Sequence, residues 1–288
     1  MSGLFGTDGI RDLAGRGKLT PENILRVGRA VGYLAGERPE LFSRLGKRQA
    51  RRRPRLLLAQ DTRASGHMIR GAIIAGVLAS GCDLIDAGVA PAPVCSFLVR
   101  RFRCDCGIFI SASHNPNEYN GIKFFDRDGF KITRRLEEEI ERLVERPPAE
   151  SGRIGEYQRR PDALEQYVQA AVKWALKRFH LQGKRVVLDC ANGAVTHVVP
   201  EIFSRLGADV HTINDNPDGR NINRGGALFP QKTAREVRRT GAYVGFSFDG
   251  DGDRVIPVTE TGRVLDGDYL MAICARHLKR QRKLRANT

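Results

Sequence analysis

Gly107-Ile108-Phe109-Ile110-Ser111-Ala112-Ser113-His114-Asn115-Pro116 is the stretch from which the rest of the chain is read. Its first four residues form a short apolar run that reads as a buried strand. The run stops abruptly in small and polar residues and then Pro116. That pattern predicts a hydroxyl at the tip of a strand, on a turn that a ligand can reach. Alone, Ser-Ala-Ser-His-Asn-Pro serves equally well as an ordinary Asx/Ser turn. A second loop far along the chain changes the balance. Asp249-Gly250-Asp251-Gly252-Asp253-Arg254 also follows a strand-like run, Tyr243 to Phe248. One loop offers a hydroxyl and the other a set of carboxylates.

Outward from these loops, strand and helix signals alternate. Thr20-Pro21 reads as a helix start, with Thr20 as N-cap and Pro21 in the first turn. Ile24, Val27, Val31 and Leu34 then recur at helical spacing. Strands are expected at 55–59, 82–87, 107–110 and 122–125, and helices at 68–80, 94–102 and 134–143. Asn120-Gly121 marks a hairpin turn that carries Lys123 back toward Ser113. Pro147-Pro148 through Gly155 reads as a linker. A second unit repeats the outline: a helix at 162–179, a strand at 184–190, a helix at 198–206, a strand at 208–213, a long polar loop at 214–226, a helix at 233–240 and the strand into the Asp249 loop. A last helix runs from Tyr269 to about Arg282. The alternation argues an α/β architecture with strands buried under helices, and the repeated outline hints at internal duplication.

Composition fits a folded protein: 288 residues, 41% hydrophobic and 28% charged, enough for about two domains. No apolar run approaches a membrane span, and Met1 to Ile10 lacks a signal-peptide layout, so a cytoplasmic location is expected. Cys82, Cys95, Cys104, Cys106, Cys190 and Cys274 have no metal or disulfide spacing and are expected to be reduced, mainly core residues. Lys plus Arg number 48 against 33 Asp plus Glu, a net charge of +15. Much of the excess sits in Arg44–Arg55 and Lys279–Arg285, neither interleaved with aromatics that stack on bases. Solvated basic segments are therefore expected rather than a nucleic-acid surface.

Three carboxylates as close as Asp249, Asp251 and Asp253 repel one another unless a cation sits among them. An all-oxygen donor set suits a hard ion such as Mg²⁺. An EF-hand calcium loop fits poorly: its sixth position would be Arg254 instead of Gly, and a strand precedes it rather than a helix. At the start of the chain, Phe5-Gly6-Thr7-Asp8-Gly9-Ile10-Arg11 suits a strand-to-loop start that lets backbone approach an anion, with Arg11 as a planar donor. In Asp61-Thr62-Arg63, Arg63 either touches phosphate or pairs with Asp61.

Taken together, these strings, with Asn120 to Phe125 and Asp189-Cys190-Ala191-Asn192-Gly193-Ala194, resemble the α-D-phosphohexomutase superfamily, and the opening string tilts the likeness toward its glucosamine-phosphate branch over the phosphoglucomutase and phosphomannomutase branches. The resemblance implies two related three-layer α/β domains with mixed sheets sandwiched by helices, over 1–152 and 153–260, with 261–288 starting a third. It implies that Ser113 carries a phosphoryl group and that Asp249, Asp251 and Asp253 bind Mg²⁺ together with that serine. Lys123 is then an acid/base candidate, and Arg11, His114, Arg63 and Arg254 line the site. The implied reaction moves phosphate between O6 and O1 of a phosphorylated hexosamine through a bisphosphorylated sugar.

The chain also departs from that family. Its members are longer, with four domains. Neither a sugar-reading Gly-Glu-x-Ser-Gly-His pattern nor an Arg-x-Ser-Gly-Thr-Glu-Pro-like phosphate loop is found here, Gln60 stands where Lys is usual, and Asp12 where Gly is usual. The chain by itself is therefore expected to bind Mg²⁺ with little or no turnover, either as an inactive remnant or as one half of an enzyme completed by a partner chain.

Overall fold

The computed structural model describes residues 3–44 and 53–284. Most of the Arg44–Arg55 basic run, and Arg285 of the basic tail, lie outside the described residues. In chain order the first unit contains β1 (Ile10–Leu13), α1 (Pro21–Glu37), β2 (Arg55–Gln60), α2 (Gly66–Ala79), β3 (Asp83–Val89), α3 (Ala92–Arg101), β4 (Cys106–Ile110), β5 (Tyr119–Asp126), α4 (Arg134–Glu145) and β6 (Tyr157–Arg159). Then follow α5 (Ala163–Leu176), β7 (Arg185–Asp189), α6 (Val199–Arg205), β8 (Asp209–Ile213), α7 (Pro230–Thr240), β9 (Val244–Phe248), β10 (Val255–Thr259) and α8 (Gly267–Arg280). Thr20 caps α1 as the sequence predicts, its hydroxyl accepting the Asn23 N–H with Pro21 just inside. No helix among the described residues is long and apolar enough to cross a membrane.

Both sheets are mixed and lie between helices. The first has the order β1-β5-β4-β2-β3-β6 and the second β10-β9-β7-β8. Alternation along each strand sends successive side chains to opposite faces. In β2, Leu56 and Leu58 join the core under α1, α2 and α4, while Leu57 and Ala59 face α3 and α5. In β7, Val187 faces α7, while Val186 and Leu188 face α6. The repeat is visible in topology as well as outline. The run β5-β4-β2-β3 in the first sheet corresponds strand for strand to β10-β9-β7-β8 in the second, with the same antiparallel and parallel pairings. The serine loop follows β4 and the aspartate loop follows β9, so the two loops hang from corresponding strands. In such open sheets, ligand crevices form beyond the carboxyl ends of strands, where the order reverses.

Two strands were not anticipated. β6 lies beyond the expected boundary at 152 and pairs parallel with β3, so the chain adds to the edge of the first sheet after the proline-rich stretch. Its three residues are all exposed and carry no apolar signal. The buried Asp86 carboxylate holds it there by accepting from the Tyr157 hydroxyl and from Arg70. β10 contains Pro257, which argues against a central strand; it is an edge strand, where a missing N–H is tolerated. The helix α7 begins at Pro230 rather than 233, using that proline in its first turn. Five cysteines are buried, only Cys274 is exposed, and all six are free.

Candidate active site

From within the first domain, the serine loop is held by the buried side chain of Arg63. Arg63, at the carboxyl end of β2, is fully buried and spends every guanidinium N–H. Its Nε donates to Asp61 Oδ2 (3.0 Å). Nη1 donates to the carbonyls of Pro116 (2.6 Å) and Tyr119 (3.1 Å), and Nη2 to those of Ser113 (2.9 Å) and Asn115 (2.8 Å). Of the two readings of Arg63, contact with phosphate or pairing with Asp61, the pairing is the one seen, and with every donor spent on protein acceptors the side chain clamps the loop. Ser113 adopts φ of 53°, a left-handed conformation uncommon outside glycine. Its N–H donates to Ser111 Oγ (2.8 Å), and Ser111 Oγ in turn donates to Asp61 Oδ2 (2.7 Å). The predicted open hydroxyl is corrected, because Ser113 is fully buried. Its Oγ donates to Asp249 Oδ2 at 2.9 Å, across to the second domain.

Asp249, Asp251 and Asp253 bring one carboxylate oxygen each to within 4.8 Å of one another. The glycines between them allow close approach. Gly252 takes φ of 70°, and a Cβ on Gly250 would collide with Ile222. Burial and the charges of Asp251 and Asp253 push the Asp249 carboxyl up to about 7. Asp251 is fully buried, and its Oδ1 has no hydrogen-bond partner. An orphaned buried carboxylate oxygen inside a crowded all-oxygen set fits a hard divalent cation. The positive charge present is Lys123. Its Nζ lies 3.0 Å from Asp251 Oδ2, 3.3 Å from Asp253 Oδ2 and 3.1 Å from Asp8 Oδ2. Burial disfavours its charge, but the three carboxylates outweigh burial and raise its pKa, so the ammonium stays charged. The register explains the placement: Lys123 lies opposite Phe109, one residue before the end of β4.

The other expected residues gather around this centre. Arg11 on β1 pairs with Asp8 (2.8 Å) and keeps a buried Nε without a partner. His114 also has a partnerless buried Nδ1, and burial with the cations Arg254 and Arg11 lowers its pKa. Arg254 is half exposed and lies 3.7 Å from Asp253. The two arginines bring positive charge to this centre, and His114 brings an imidazole that its surroundings keep neutral. The residues that sequence reasoning did not assign are Asp8, Ser111 and Asn223. The first two stand inside strings already singled out, but Lys123 and Asp61 reach them from distant parts of the chain. Asn223 lies in a polar loop whose composition marks only a turn.

The fold and these paired loops define a class of α/β protein in which one serine abuts an oxygen cage for a hard cation. The model of phosphoglucomutase/phosphomannomutase α/β/α domain I matches residues 2–151 and that of domain II matches 165–262, and the chain belongs to this family. It is 42% identical over 293 residues to a phosphoglucosamine mutase of Thermodesulfovibrio yellowstonii, covering 99% of this chain and 62% of that protein. A phosphoglucosamine mutase of Desulforudis audaxviator is 43% identical over 294 residues, with 100% and 62% covered. Among solved structures, a phosphoglucomutase/phosphomannomutase family protein from Burkholderia thailandensis superposes with a TM-score of 0.79 at 26% identity, over 96% of this chain and 59% of that one. The chain thus spans about 62% of the length of the curated relatives it matches.

Proposed function

We propose that this chain carries the phosphoserine and metal centre of a phosphoglucosamine mutase-type enzyme, with a phosphorylated hexosamine as substrate. The observation that carries the reading is the 2.9 Å contact between Ser113 Oγ and Asp249, the first of three clustered carboxylates. The serine comes from the first domain, expected at 1–152, and the carboxylates from the second, expected at 153–260. The remainder, 261–288, is read as the start of a third unit. Asp249, Asp251 and Asp253 would hold Mg²⁺. Bound there, Mg²⁺ supplies charge neutralisation for a phosphoryl group. The chain's own residues do the rest. Phosphoryl transfer asks mainly for positioning and positive charge. Arg63 fixes the serine backbone, while Arg11, His114 and Arg254 bring donors to the cleft. Lys123, held as an ammonium, serves as a hydrogen-bond donor and charge neutraliser rather than as a base. Because Ser113 is sealed, the groups that cover it must shift before a sugar phosphate can reach it.

The test is intact-mass spectrometry of the purified chain after incubation with glucosamine 1,6-bisphosphate and Mg²⁺. One phosphate on the wild-type chain and none on Ser113→Ala is expected, with glucose and mannose bisphosphates slower. Failure of the wild-type chain to take up phosphate overturns the reading. Mutase turnover by these 288 residues on their own is expected to be low, because they span about 62% of the length of the matched relatives, and normal turnover would overturn that part.

A further inference from the structure

We infer that Asn223 is a positioning residue that makes the serine loop and the aspartate loop move as one, so that cation affinity and the phosphorylation state of Ser113 are linked through it. Asn223 lies in the polar loop after β8 and is 8% exposed. Its amide faces both loops. Nδ2 donates to the Ser113 carbonyl (2.8 Å) and to the Asn115 carbonyl (3.3 Å), and Oδ1 accepts the N–H of Gly250 (2.8 Å). Both ends of one short, rigid side chain are therefore spent between the residue expected to carry phosphate and the backbone between two expected cation ligands. The backbone supports the arrangement. Asn223 sits at φ of 62°, which asparagine tolerates better than most residues, and its N–H donates to the Ala191 carbonyl (2.8 Å). The Ser113 carbonyl receives a second donor from Arg63, so the serine is held from the first domain by the guanidinium and from the second by the amide. Other bonds also cross between the domains, such as Thr62 Oγ1 to the Asn192 carbonyl (2.7 Å), but that bond touches neither loop.

This inference rests on the phosphoserine reading above, and its test separates the two. Mn²⁺ affinity of the full chain is measured by titration calorimetry with Ser113 unmodified and after phosphorylation by glucosamine 1,6-bisphosphate. The ratio of the two affinities is the coupling. Asn223→Gly keeps a left-handed backbone and removes only the amide. It is expected to reduce the coupling about tenfold, within the usual span of coupling between two sites, each variant's coupling being taken against its own Mn²⁺ affinity without phosphate. Thr62→Val removes an interdomain bond elsewhere and is expected to lower the melting temperature while leaving the coupling at the wild-type value. A merely structural role for Asn223 would make the two variants alike. Wild-type coupling retained in Asn223→Gly, or coupling lost equally in Thr62→Val, overturns the inference alone. A wild-type chain that takes up no phosphate or binds no Mn²⁺ overturns it together with the phosphoserine reading.

Discussion

Replacing Arg63 by alanine is the sharpest test of how the serine loop is held. The side chain is fully buried, pairs with the equally buried Asp61, and supplies donors to four carbonyls between Ser113 and Tyr119. Its loss strands a carboxylate without a counter-charge in the interior, a change that costs about 3–5 kcal/mol. For a chain of this size each kcal/mol moves the melting temperature by about 2–4 °C, so a fall of roughly 6–20 °C is expected. Thermal unfolding followed by circular dichroism gives the number, and intact-mass phosphate uptake by the surviving folded fraction gives the function. Arg63→Lys restores the charge but supplies three donors for five bonds, so it should recover part of the stability. The double variant Asp61→Asn/Arg63→Ala removes both charges and should be less damaging than the sum of its parts, because the two residues share one network. An Arg63→Ala protein that melts within about 2 °C of wild type yet takes up no phosphate would refute the clamp and restore the arginine to ligand binding.

Other expectations follow from the carboxylate cluster. Lys123→Met removes the ammonium that neutralises Asp251 and Asp253; calorimetry should show tighter Mn²⁺ binding, by about tenfold, and unchanged or weaker binding would show that the lysine does not compete with the cation. Asp251→Asn should weaken Mn²⁺ binding markedly, and an unchanged titration would remove that residue from the cage. The Asp249 carboxyl, raised to about 7 in the ion-free protein, keeps its proton in the folded state where the unfolded chain, near the ordinary aspartate value, gives it up. Ion-free stability should therefore fall as pH rises from about 4 to 7, and added Mg²⁺ should stabilise more at pH 8 than at pH 5. Melting curves across that range check both signs, and a stabilisation by Mg²⁺ that is flat with pH would count against the cluster.

Much of the fold is legible in the chain because its signals are local. The Thr20-Pro21 start, the alternating strands, and the abrupt endings at Ser111 and Asp249 each depend on a few neighbouring residues. The site is legible to the extent that its residues stand beside glycines and strand ends. What stays hidden is set by distance. Nothing near Arg63 says that its donors will turn inward onto carbonyls some fifty residues away, so a loop arginine beside a cleft reads as a ligand contact. Nothing near Asn223 distinguishes an amide that bridges two loops from one that shapes a turn. The strands β6 and β10 escape for a different reason: one is three exposed polar residues, and the other carries a proline that only an edge accommodates.

The strand-for-strand correspondence of the two sheets has a consequence for how the chemistry is shared. The hydroxyl occupies in one copy of the unit the place that the acidic triplet occupies in the other, so the centre is a seam between two versions of one scaffold that have been given opposite chemical duties. Neither copy holds both groups by itself. Severing them should yield one fragment with the serine hydroxyl and no acidic triplet, and another with the triplet and no hydroxyl facing it.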